Sequence, residues 1–242
     1  MGIRKIVKMF NNNSVSICGK KGRGKDMLTA NVIARRRKKY YISNVDYKVR
    51  KSKWIKFNPA LLRIGNTYDT FLRNKIKSYI YPYPDGTDIY ISDCGVYFPS
   101  QYCGELNRDY KDIPTFMALS RQLGDCYVHT NAQNLNRVWD KIREQSDMYI
   151  SCQWCKVFGK IVVQKVRVYE KYESAVANVP PCRIKVPLFN NDRRQRAQIE
   201  RDHYYCTHGK IKTYILIYWN KSKYDTRLFK TILEEGIDDE KT

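Results

Sequence analysis

The chain has 242 residues, 43% hydrophobic and 29% charged, enough for one sizeable core with about 30 to 60 residues left for an appended subdomain. Its 45 Lys and Arg against 24 Asp and Glu give a net charge of +21, an excess that attracts polyanions through phosphate contacts and counterion release. The longest apolar run falls far short of the roughly 18 residues of a membrane span, and the basic start Met1-Gly2-Ile3-Arg4-Lys5-Ile6-Val7-Lys8 has neither an h-region nor a cleavage site, so a membrane-spanning or secreted protein is excluded and a cytoplasmic one expected.

Taken in chain order, Ser14-Val15-Ser16-Ile17-Cys18 is a short apolar run that stops at Gly19, as a buried strand does before a tight turn. Residues 25–39 carry the helix formers Met27, Leu28, Ala30 and Ala34, with basic residues crowding the last turn where they complement the dipole. Tyr40-Tyr41-Ile42-Ser43-Asn44-Val45 reads as a second strand and completes a βαβ unit. Residues 67–80 are read as helical, and Tyr81-Pro82-Tyr83-Pro84-Asp85-Gly86 as a turn. Asp88-Ile89-Tyr90-Ile91-Ser92-Asp93 is a β-rich run ending on an acid, followed by helical spacing over 113–123. Residues 125–133 predict another buried strand with a polar end, and 135–143 a helix. Two strand-like runs, Met148–Phe158 and 161–172, meet at Gly159-Lys160 as a hairpin, and a last strand covers Ile211–Trp219. The alternation predicts a three-layer α/β fold with a mainly parallel sheet and a C-terminal antiparallel β extension. The expected division is a core over 1–175 with a basic extension, 176–242, packed on it.

Gly19-Lys20-Lys21-Gly22-Arg23-Gly24-Lys25 matches G-x-x-x-x-G-K, the loop whose backbone N–H groups cradle phosphates while the lysine reaches the terminal ones. The expected ligand is ATP. The next residue, where Ser or Thr holds Mg²⁺, is Asp26, which has two open tasks: capping the helix or binding the metal. Asp93 stands at a strand end, where a carboxylate reaches hydrated Mg²⁺ or simply ends the strand. Cys94 follows it in place of the Glu that activates water, and a thiol is a poor substitute base at neutral pH. Gln133 is positioned to orient water or meet the terminal phosphate, or to serve as a plain turn residue; Arg121 and Arg143, near helix ends, are candidates for an arginine supplied to a neighbouring subunit, or solvated surface groups.

The order of this loop, a basic helix, Tyr41-Ile42-Ser43-Asn44-Val45, Ile91-Ser92-Asp93 with Phe98-Pro99, Leu119-Ser120-Arg121-Gln122 and His129-Thr130-Asn131-Ala132-Gln133 resembles the N-terminal domain of the zonula occludens toxin-like family, the assembly ATPases of filamentous phages. The resemblance covers about residues 14–155, and Gly19, Gly22, Gly24, Lys25 and Asp93 fall on its motif positions. It implies an oligomeric P-loop ATPase that exports or packages single-stranded DNA in the host-cell cytoplasm, with a peripheral membrane or virion-assembly partner. The chain departs from the family at Asp26, at Cys94 and in lacking a membrane span.

Two further groups bear on partners. The basic runs Arg35-Arg36-Arg37-Lys38-Lys39 and Arg193-Arg194-Gln195-Arg196 are candidates for sequence-tolerant nucleic-acid contact, against the alternative of a solvated face. Cys152 and Cys155, with His203, Cys206 and His208, have zinc-ligand chemistry, but on a regular strand the two cysteines point to opposite faces, which predicts separate core thiols.

Overall fold

The computed structural model describes residues 2–58, 64–69, 74–79, 83–98 and 113–221. Its elements in chain order are α1 (Gly2–Met9), β1 (Val15–Cys18), α2 (Lys25–Arg36), β2 (Tyr40–Ser43), β3 (Lys53–Lys56), β4 (Ile64–Asp69), β5 (Asn74–Tyr79), β6 (Ile89–Ile91) and α3 (Cys94–Tyr97). There follow α4 (Ile113–Gly124), β7 (Val128–Ala132), a 3-10 turn (Leu135–Arg137), α5 (Asp140–Arg143), β8 (Met148–Phe158), β9 (Ile161–Tyr169), α6 (Tyr172–Val176), α7 (Asn191–His208) and β10 (Ile211–Trp219).

Eight strands form one sheet in the order β10-β9-β8-β1-β7-β6-β2-β3. From β8 to β3 every neighbour is parallel, and β9 and β10 extend the sheet as antiparallel partners. Strands covered on both faces are buried along their whole length rather than at every second residue, which is how β1, β6 and β7 are placed. Alternate residues then serve opposite layers: Tyr41 and Tyr90 join the cluster made with α1 and α2, while Ile42, Ile89 and Ile91 join Met117 and Ile142 of α4 and α5. The expected mainly parallel three-layer fold with an antiparallel C-terminal extension is the observed one.

Several local expectations are corrected. Within 67–80 the described residues are strand: β4 and β5 pair antiparallel, Ile64 to Asp69 against Tyr79 to Asn74, so that cross-strand pairing decides a segment whose own apolar spacing is irregular; residues 70–73 and 80 lie outside the described residues. The helix expected over 135–143 is broken, since Asn134 accepts the Asn136 N–H and starts a 3-10 turn, after which Val138 is extended and Trp139 (φ −50°, ψ 131°) is not helical. α2 stops at Arg36, with Arg37 at φ 57° ending it. α1 carries Ile3 and Ile6 on one face, 7% and 0% exposed, and packs on α2 and β10. The edge strand β3 also joins the sheet.

At the end of the sheet away from Gly19, charge is buried. Asp88 has a fully buried side chain that pairs with Arg36 at 2.6 Å and Lys38 at 3.0 Å. His129 lies beside them, with the Val15 N–H donating to Nδ1 at 3.3 Å and the Arg36 guanidinium 3.2 Å from Nε2. Burial, then the charges of Arg36 and Lys38, hold its pKa well below the usual value, so the ring is neutral. The antiparallel extension presents an apolar outer face, with Phe158, Ile215, Ile217 and Trp219 each between 57% and 61% exposed.

Candidate nucleotide site

β1 delivers the chain at Cys18 into the glycine loop, and α2 leaves it at Lys25. At Gly19 (φ 147°) a Cβ would stand 2.7 Å from the Cys152 carbonyl oxygen. At Gly24 (φ 77°) a Cβ would meet Cys155 Sγ at 2.7 Å and its Cβ at 2.8 Å. Only glycine satisfies both the left-handed backbone and the close approach. Gln164 of β9, fully buried, donates from Nε2 to the carbonyls of Arg23 (3.0 Å) and Gly24 (3.1 Å), and its Oε1 accepts from the Tyr218 hydroxyl of β10 at 3.0 Å. The Arg23 guanidinium donates to the Gln153 carbonyl, and the Arg23 N–H to the Lys20 carbonyl at 3.2 Å. Lys25 is 5% exposed. No side chain caps α2, so its first N–H groups remain for an anion.

Asp26 does not occupy the cap position, which Gly24 holds; it lies within the first turn of α2. Its Oδ1 accepts instead from the Ser92 hydroxyl (2.7 Å) and from Asn131 Nδ2 (2.8 Å). Asn131 passes the contact on, its Oδ1 accepting the Asp93 N–H at 2.8 Å. Asn44 exchanges two hydrogen bonds with the Ser92 backbone, at 2.7 and 2.8 Å. The C-terminal ends of β2, β6 and β7 are thereby tied to the first turn of α2. Asp93 takes a left-handed backbone, φ 46° and ψ 47°, a conformation uncommon outside glycine. Burial, then the negative charge of Asp26, raises its pKa, and Lys25 pulls the other way. Two carboxylates held together beside a lysine and an uncapped helix suit a hard divalent cation, which takes one or two carboxylates and fills its remaining positions with phosphate and water.

Gln133 follows β7 and is exposed. It lines a cavity of about 600 Å³ together with Lys20, Lys21, Arg137, Gln153 and Asn178, within the range of small-ligand pockets. Cys94 is fully buried. Arg143 stacks on the ring of Tyr172 at 4.2 Å; the side chain of Arg121 lies outside the described residues. Within the run at 35–39, Arg35 donates to the Trp219 carbonyl at 2.7 Å and lies over the Tyr218 ring, Arg36 and Lys38 pair with Asp88, and Arg37 and Lys39 are exposed. Arg193, Arg194 and Arg196 are exposed on α7. Sequence reasoning misses the roles of Ser92, Asn131, Gln164 and Tyr218; the one available signal is Asn131, an amide in a strand that reads as buried, where it needs a partner.

Cys152 and Cys155 do not point to opposite faces. A bulge shifts the β8–β9 register between Cys152 and Trp154, so that Cys152 pairs with Val166 and Cys155 with Gln164, two residues apart on one face. Both thiols stand behind the glycine loop. Burial pushes Cys18 up to about 11 and raises Cys152 and Cys155, leaving all three as neutral thiols. Among the described residues no group of three metal-ligating side chains occurs.

The sequence matches no protein-family model and no curated protein. Among solved structures, the chain is similar to the N-terminal domain of zonular occludens toxin from Neisseria meningitidis, at 10% identity over 90% of this chain and 97% of that one, TM-score 0.43. It is similar to the genome packaging NTPase B204 of Sulfolobus turreted icosahedral virus 2 in complex with AMPPCP, at 10% identity over 66% and 93%, TM-score 0.39. The Legionella pneumophila ATPase DotB aligns at 11% identity over 97% and 64%, TM-score 0.38. What the site does is set by its own residues.

Proposed function

We propose that this chain is a P-loop NTPase of a phage or mobile element that binds ATP with Mg²⁺ and acts on single-stranded DNA in packaging, export or virion assembly. The observation that carries the reading is the convergence of buried Lys25, the uncapped start of α2 and the pair Asp26 and Asp93 at the mouth of the glycine loop. The loop N–H groups and the Lys25 ammonium hold the phosphates. Asp93 and Asp26 are the groups to hold Mg²⁺, which when bound neutralises phosphate oxygens. Gln133 meets the terminal phosphate or the water beside it. The cationic surface, including Arg37, Lys39 and the α7 arginines, takes the nucleic acid.

The protein works as a homo-oligomer in the host cytoplasm, with Arg121 or Arg143 offered to a neighbouring subunit and a peripheral membrane or virion component as assembly partner. Among the described residues no helix is long and apolar enough to cross a membrane. A second reading, a nucleotide-binding scaffold without turnover, is favoured by one observation: the position after Asp93 is a buried thiol where a general base is needed. ATP binding and turnover, with and without single-stranded DNA, on the parent and on Lys25→Ala test both. DNA-stimulated turnover lost in Lys25→Ala supports the motor, binding without turnover the scaffold, and no binding by the parent rejects the nucleotide site.

A further inference from the structure

α7 has no buried residue along its 18 residues, a length of about 27 Å. Among the described residues, the hydrogen bonds that tie it to the rest of the molecule lie at its C-terminal end. Lys171 Nζ donates to the carbonyls of Cys206 (2.5 Å) and Thr207 (3.2 Å), the Ser174 hydroxyl to that of His208 (2.8 Å), and the Tyr204 hydroxyl to that of Pro180. The other end carries Leu188 and Phe189, 83% and 85% exposed. Flanking them in the sequence are the exposed cations Arg183, Lys185, Arg193, Arg194 and Arg196, with Asp192 the one acid in residues 183–196. Arg193 and Arg196, three apart, share a helix face.

A bare phenyl ring among cations matches a ligand that offers flat apolar faces and regularly spaced negative charge. We infer that the arm formed by residues 183–196 is a binding site for single-stranded nucleic acid, in which Phe189 stacks on an unpaired base and the arginines hold the flanking phosphates. A duplex keeps its base faces stacked and offers Phe189 nothing beyond its backbone. A second copy of this chain, at +21, brings like charge to a cationic surface. The inference rests on the reading that the chain acts on nucleic acid, and it is independent of turnover.

The test is fluorescence anisotropy with labelled single-stranded DNA, single-stranded RNA and duplex DNA across a salt series, with ATP binding and light scattering on the same samples. The parent is expected to prefer single strands, and the tighter of the two names the natural strand. Phe189→Ala weakens that binding about 5- to 140-fold, the range of one lost base–aromatic stack, and Phe189→Trp restores it. Replacing Arg193, Arg194 and Arg196 together by Gln lowers the slope of log affinity on log salt by about 2, at roughly 0.7 per phosphate contact on a single strand. Phe189 is almost wholly exposed, so the variants keep the parent's melting temperature and ATP binding. Parent-like single-strand affinity in both variants overturns the inference while leaving the nucleic-acid reading intact, as does a change confined to oligomeric state, which assigns the arm to a second copy. A parent that binds no nucleic acid at all rejects the broader reading, and the inference with it.

Discussion

Gly24→Ala and Gly22→Ala form a matched pair. Both glycines have nearly the same positive φ, 77° and 76°, but a Cβ at Gly22 meets nothing within 4 Å, whereas at Gly24 it meets Cys155 Sγ at 2.7 Å, Cys155 Cβ at 2.8 Å and Gln164 Nε2 at 3.0 Å. Holding alanine in the left-handed region costs about 1–2 kcal/mol at either position. Overpacking adds about 1–3 kcal/mol at Gly24 alone. With roughly 2–4 °C per kcal/mol for a chain of this size, Gly22→Ala lowers the melting temperature by about 2–8 °C and Gly24→Ala by about 4–20 °C. Adding Cys155→Ala to Gly24→Ala removes the sulfur contact but not the Cβ contact and recovers only part of the difference. Thermal denaturation monitored by circular dichroism reads all of these directly. Equal losses in the two single variants would falsify the claim that the β8 wall, and not the backbone alone, demands glycine at position 24.

Gln164→Leu removes both donations to the loop carbonyls and the acceptor of Tyr218. The Gly24 carbonyl keeps the Leu28 N–H, so the expected loss is about 1–3 kcal/mol, together with weakened ATP binding; unchanged affinity for a fluorescent ATP analogue refutes the clamp. Asp88→Asn leaves Arg36, whose side chain is 5% exposed, without its counter-charge and costs about 3–5 kcal/mol in urea denaturation; a loss under 1 kcal/mol, roughly the worth of an exposed pair, counts against a buried one. His129 is held neutral in the folded state by burial and by Arg36 and Lys38, with Tyr90 and Phe10 against its ring and Asp88 paired to the two cations. Its folded pKa lies below the unfolded value of about 6.5, so only the unfolded chain takes up this proton, and stability falls as pH drops below about 6.5, by up to about 1.4 kcal/mol per pH unit. His129→Gln flattens that part of the profile, and superimposable profiles for variant and parent contradict the assignment.

The glycine loop was legible because its function is written in local spacing: three fixed residues between a strand and a helix. The hairpin at Gly159 was legible for the same reason. Asn131 and Ser92 were not, since their roles depend on Asp26, which meets them only after β6 and β7 line up with β1. The strands at 64–79 were missed where polar and apolar residues alternate too irregularly to separate two periods. The face shared by Cys152 and Cys155 was hidden by one bulge, which inverts a parity argument that holds on any regular strand. In the run at 35–39, composition showed charge but not direction: Arg36 and Lys38 turn inward because Asp88 has no other neutralising partner there among the described residues.

The chain of contacts from Tyr218 through Gln164 to Arg23 and Gly24 joins residues far apart in the sequence, in the last strand and in the loop after the first. A fragment ending before β10 would therefore carry every letter of the phosphate-binding motif yet lack the hydroxyl that orients the amide holding it in shape. The loop in its observed form thus draws on four neighbouring strands at once: β1 leads into it, and β8, β9 and β10 line up behind it.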